Sequence, residues 1–130
     1  MILDASAVVE LLLGSAKGRQ VATLIEDPSY SLDVPHLIDV EVAQALRRYV
    51  RSGDLLESDA VMALGLLASL DLSRHSHEPL LERVWELRGN LTAYDAVYVA
   101  LAEALNATLV TCDGRLAKAP GLRARLHLVR

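Results

Sequence analysis

Residues 91–116 read LTAYDAVYVALAEALNATLVTCDGRL. From Thr92 to Leu105 the stretch is apolar nearly all round, with Asp95 and Glu103 its only charges. A helix of that composition is buried rather than half-exposed. ATLVTC, 107–112, then reads as a buried strand, and Asp113-Gly114 stops it with ordinary turn chemistry. A buried helix feeding a buried strand is the repeating unit of an α/β protein, because parallel strands need a crossover between them.

The rest of the chain keeps the same alternation. Residues 1–4 form a short apolar strand, 6–14 a helix ending near Gly14, and 18–26 a second helix closed by Asp27-Pro28. YSLDV, 30–34, alternates as a strand up to Pro35. Helices follow at 37–51, stopped by Gly53, and at 57–69. A strand is expected over 70–73, a helix over 78–88 ending at Gly89-Asn90, and a last strand over 126–129. No repeat, low-complexity tract or linker divides the sequence, so 1–130 is read as one domain with a central, mostly parallel sheet.

The bulk numbers set bounds on partners and compartment. Apolar residues make up 52% of the chain, ample for a core. Cys112 is the single cysteine, which excludes an intrachain disulfide and suits a reducing compartment. No apolar run approaches the roughly 20 residues of a membrane span, and the start lacks the basic region of a signal peptide. A cytoplasmic protein is expected. The formal charge is -4, from 13 basic and 17 acidic residues, so charge alone does not mark a nucleic-acid binder.

Four acids stand where an open α/β sheet builds its sites, beyond the carboxyl ends of its strands. Each also has a plain structural role. Asp4 ends the first strand and can cap the helix after it. Asp95 follows Thr92 at capping-box spacing, though on a buried helix its charge needs a partner. Asp113 fits a turn. Glu41, in PHLIDVEVAQAL, lies inside the apolar arc of its helix, whereas Asp39 falls near the edge; Glu41 is therefore preferred as the functional acid. Carboxylates gathered this closely repel and raise one another's pKa. A hard divalent cation removes that repulsion, and Mg²⁺ favours such oxygen ligands. The histidines and the cysteine are not spaced as a zinc set.

MILDASAVVELL, PHLIDVEVAQAL and LTAYDAVYVALAEALNATLVTCDGRL together resemble PIN-domain ribonucleases, most nearly the VapC-type toxins of prokaryotic toxin–antitoxin pairs. The resemblance covers essentially the whole chain, and Thr92–Leu116 is its most specific part. It implies a PIN-like three-layer sandwich and a Mg²⁺-dependent endoribonuclease, with Mn²⁺ able to substitute. It makes Asp4, Glu41, Asp95 and Asp113 the catalytic quartet. Asp4, Asp95 and Asp113 would hold metal, and Glu41 would position water or reach a metal through water. Ser6, Thr92 and Thr111 match the hydroxyl residues around the acids. Beyond the fourth acid, where some members carry another, this chain has Arg115, Leu116 and Ala117.

The family also implies an RNA substrate (tRNA or another structured RNA), a small antitoxin as partner, and a homodimer, with no membrane role. Removing the four site acids leaves 13 acidic residues against 13 basic ones, so RNA contacts must come from local cations. Candidates are Arg47, Arg48 and Arg51 on one helix, Arg115 and Lys118 beside the site, and the group Arg74, His75 and His77. The competing expectation is a non-catalytic PIN-like module that binds RNA or a protein, which a broken quartet would mark. A haloacid-type phosphatase would need D-x-D where this chain has D-A-S.

Overall fold

The computed structural model describes all residues, 1–130. Five short strands form one all-parallel sheet: β1 (Ile2–Leu3), β2 (Asp33–Pro35), β3 (Ser73–His75), β4 (Leu109–Thr111) and β5 (Leu126–Leu128). Their order is β3-β2-β1-β4-β5. Ile2 pairs with Asp33 on one side and Leu109 on the other, and Leu3 pairs with Val110. The inner strands are buried on both faces, which is why they read as apolar runs without alternation.

Seven helices flank the sheet: α1 (Ala5–Leu13), α2 (Ala16–Ile25), α3 (Ile38–Arg51), α4 (Glu57–Ser69), α5 (Leu81–Glu86), α6 (Ala93–Ala104) and α7 (Gly114–Ala117). α1 packs on β1 and β4 and carries α2, α3 and α4 against it; α6 lies on β1, β2 and β4, backed by α5. The helix expected over 78–88 begins as a single tight turn at Glu78–Leu80, with Pro79 inside it, because proline suits a helix start. The strand expected at 70–73 forms at Ser73–His75 instead. Leu72 fills the core from the loop ahead of it. α7 leaves no mark in the sequence, because four residues carry too little periodicity to show.

The α6 segment is as buried as its composition demands: Ala96 to Ala102 are all buried without interruption. Gly14 ends α1 in the left-handed conformation, φ 64°, its N–H bonding back to Glu10 and Leu11 carbonyls. From β1 the chain builds outward to β2 and β3, then returns to β4 on the other side of β1. The crevice beyond the carboxyl ends of β1 and β4 is therefore the topological switch point of the sheet.

Candidate active site

Asp4, Glu41, Asp95 and Asp113 all line one cavity of about 350 Å³ above that switch point. Each reaches it from the first turn of a different helix. Asp4 caps α1 and accepts Ala7 N–H at 2.9 Å. Glu41 lies in the first turn of α3, and Asp95 in that of α6. Asp113 caps α7, accepting Arg115 N–H at 2.8 Å. The capping roles and the site are thus compatible, since helix starts present the positive end of the helix dipole to these carboxylates. Thr92 caps α6 by accepting Asp95 N–H at 3.2 Å. That bond uses the main chain of Asp95 and leaves its carboxylate to the cavity.

Asp4, only 6% exposed, is held by a two-armed hydroxyl network. Ser6 Oγ donates to Asp4 Oδ1 at 2.6 Å and accepts Cys112 N–H at 2.9 Å. Thr111 Oγ1 donates to Asp4 Oδ2 and accepts Asp113 N–H at 3.0 Å. Both arms tie the end of β1 to the end of β4. Burial pushes the Asp4 pKa up against these hydrogen bonds, and the Asp95 charge adds to the rise.

Asp95 and Glu41 are shifted in the same sense. Burial first, then the charge of Asp113, raises Asp95. Burial first, then the charges of Asp95 and Asp4, pushes Glu41 up to about 7, while Tyr98 and Arg48 oppose the rise. Glu41 Oε1 and the Tyr98 hydroxyl are buried without a hydrogen-bond partner of ordinary geometry. They stand close enough to act on each other: burial first, then Glu41, drives the Tyr98 hydroxyl upward. No three carboxyl, thiol or imidazole groups converge within ligation distance of one point. The quartet lines the cavity without forming a preformed cage. Its oxygen-only donor set, the mutual repulsion and the orphaned Glu41 oxygen nevertheless fit a hard divalent cation.

Asp39 takes no part. It forms a bidentate ion pair with Arg74 at 2.8–2.9 Å, away from the cavity. His75 pairs with Asp33 at 2.8 Å, and His77 Nε2 accepts Leu37 N–H at 2.9 Å at the start of α3. The expected cationic group Arg74, His75 and His77 is therefore absorbed in structural contacts; His77 in effect helps seat the helix that carries Glu41.

Among the candidate RNA contacts, Arg115 lies on the cavity rim, 95% exposed and 3.7 Å from Asp113. Arg47 and Arg51 do not join it. They border a separate groove with α4. Lys118 ends α7 outside the cavity lining. Arg48 does line the site, with Gln44 and Tyr49. Helical spacing explains the split: Gln44, Arg48 and Tyr49 follow Glu41 at three, seven and eight residues, so they share its face, whereas Arg47 is turned away. That spacing was available in the sequence and singles out Arg48. Tyr98, three residues after Asp95, is marked by the same rule.

Comparison with known proteins adds an independent line. Residues 1–122 match the family model described as PIN domain. The chain is 47% identical over 130 residues to Ribonuclease VapC1 of Mycobacterium tuberculosis, covering 99% of this chain and 97% of that one. It superposes on the crystal structure of PAE2754 from Pyrobaculum aerophilum with a TM-score of 0.68 at 30% identity, covering 96% of this chain and 81% of that one. The fold also matches VapBC2 from Rickettsia felis, bound there to a DNA fragment from its promoter. For that match the TM-score is 0.71 at 17% identity, over 99% of this chain and 98% of that one.

Proposed function

The chain belongs to the VapC branch of the PIN-domain family, and from that membership we propose that it is a divalent-cation-dependent endoribonuclease, the toxin of a type II toxin–antitoxin module. The observation that carries the reading is the meeting of four carboxylates from four helix starts in one cavity, around an unpartnered Glu41 oxygen. Asp4, Asp95 and Asp113 would hold Mg²⁺ or Mn²⁺. When bound, the cation would polarise the phosphodiester, lower the pKa of water and offset the negative charge brought together in the pocket.

The chain's own groups have distinct tasks in this mechanism. Asp4 is fixed in one orientation by Ser6, Thr111 and the α1 backbone, with acceptor capacity left on Oδ2 for a cation. Asp95 and Asp113 both line the cavity, where burial and the charge of Asp113 work against ionisation of Asp95, and a bound cation would offset that repulsion. Glu41 Oε1 orients the attacking water. Water adds to phosphorus in line with the ester oxygen, that P–O bond breaks, and the leaving oxygen takes up a proton. Arg48 and Arg115 on the rim receive the flanking phosphates.

Partners follow from the surface. Val61, Met62, Leu64 and Leu66 on α4 are exposed, as are Leu81, Trp85 and Tyr94 on the opposite layer. Apolar groups in such number support protein partners. We assign them to the antitoxin and to a second copy of the chain. On α3 and α4, Leu67 is buried, Val50 is partly buried, and Val40 and Leu66 are exposed. No helix is long and apolar enough to cross a membrane.

The test is cleavage of end-labelled structured RNAs, tRNAs included, with Mg²⁺, Mn²⁺ or EDTA, beside Asp95→Asn prepared identically. Discrete cuts that need cation and vanish in the variant are expected. Cation binding with no cut in any RNA of the panel would favour the binding-module reading.

A further inference from the structure

Tyr98 is the largest fully buried side chain of the protein, 1% exposed, and it belongs to the same cavity as the acids. It follows Asp95 by three residues on α6, so the two side chains share a face. A phenylalanine would fill the same volume. The tyrosine adds a hydroxyl in a place where water cannot satisfy it, and buried tyrosine hydroxyls ordinarily have a partner. Here Oη makes no hydrogen bond of ordinary geometry, and neither does the buried Glu41 Oε1 of α3, although the two stand close enough to act on each other. Other acceptors nearby are taken: both Asp4 oxygens are already engaged by Ser6, Ala7 and Thr111.

We propose that Tyr98 is a positioning residue of the cation site, its O–H donating to the Glu41 carboxylate once that carboxylate turns toward the bound cation. A carboxylate has two oxygens. With one held by the phenol, the other faces the cation or its water in a single orientation. The inference rests on the cation-dependent reading above and assigns Tyr98 no contact with RNA.

The test is Mn²⁺ binding by calorimetric titration, without RNA, on the wild-type chain and on Tyr98→Phe, Glu41→Gln, the double variant and Asp95→Asn. Thermal unfolding in EDTA checks that each variant folds. Tyr98→Phe is expected to melt at or above the wild type, since the ring stays and only the orphaned hydroxyl goes. It should bind Mn²⁺ about ten-fold more weakly, in the range for groups that orient a metal's ligands. The double variant should be no worse than Glu41→Gln, because the hydroxyl acts through that carboxylate. Wild-type affinity in Tyr98→Phe overturns the proposal and leaves the cation site standing, provided Asp95→Asn abolishes binding. Additive losses in the double variant assign Tyr98 to packing and also overturn it. If the wild type itself binds no Mn²⁺, the cation reading fails and the role of Tyr98 fails with it.

Discussion

Thr111 Oγ1 at the end of β4 donates to Asp4 Oδ2 at the end of β1, across 107 positions of the chain, and accepts Asp113 N–H at 3.0 Å. One hydroxyl therefore sets the spacing of two acids of the quartet. Thr111→Val keeps the shape and removes the donor and the acceptor. It leaves a buried carboxylate oxygen and a main-chain N–H unpaired, at a cost of about 1–3 kcal/mol. Urea unfolding should show a lower midpoint with an unchanged slope, and cation affinity should fall with it. Thr111→Ser should restore both. A serine variant as poor as the valine would assign the effect to packing instead.

Asp95→Asn separates charge from helix start. The cap of α6 uses the main-chain N–H of residue 95, which the substitution leaves in place. What goes is a charge held among Asp113, Glu41 and Asp4. Without cation the variant should melt no lower than the wild type, and up to about 2–4 °C higher. Its cleavage should fall to background. A variant that melts well below the wild type in EDTA would show that the carboxylate holds the helix rather than burdening it.

The same repulsion predicts how stability follows pH. Glu41 is pushed up to about 7, and Asp4 and Asp95 are raised, all with burial as the first cause. In that range the folded chain keeps protons that the unfolded chain releases, so stability falls as pH rises from the ordinary carboxylate range toward 7. Because the Glu41 and Asp95 side chains are half-open to solvent, the loss is discounted to about 1–2 kcal/mol. Urea midpoints in EDTA at pH 5, 6, 7 and 8 should descend and then level. Saturating Mn²⁺ should flatten or reverse the trend, since cation and proton compete for the same oxygens. A level profile in EDTA would remove the argument that these acids are crowded.

How much of this was legible in the sequence depends on the physical signal each feature leaves. The α6–β4 unit was plain because burial on all sides suppresses polar residues over many positions. Asp4, Asp95 and Asp113 are each excused singly by a cap or a turn, and Glu41 alone stands out, by lying inside an apolar arc. Their convergence came from the rule that strand carboxyl ends build sites, and both the capping and the cavity-lining roles coexist at Asp4 and Asp113. Tyr98 did not stand out although its spacing from Asp95 marks it, because a tyrosine in an apolar helix reads as core; Arg48 stood among the candidate RNA contacts with Arg47 and Arg51, and only its spacing from Glu41 separates it from them. The absorption of Arg74 and His75 by Asp39 and Asp33 was not legible. Those pairs join residues 35 and 42 positions apart, and nothing local encodes them.

Gly18 offers a case in which two rules of opposite sign meet. It lies inside α2, where alanine normally stabilises a helix by about 0.5–1 kcal/mol relative to glycine. A Cβ at this position would stand 1.9 Å from the Glu10 carbonyl oxygen and 2.6 Å from its carbon. Those are main-chain atoms of α1 and cannot rotate aside. Relief requires α2 to lift from α1, and overpacking of that kind costs about 1–3 kcal/mol. The clash outweighs the propensity, so Gly18→Ala should lower the urea midpoint. The contact lies near the far end of α1 from Asp4, so the folded fraction should keep its Mn²⁺ affinity. An alanine variant more stable than the wild type would mean that the two helices have room to separate, and that their close approach is not what the glycine provides.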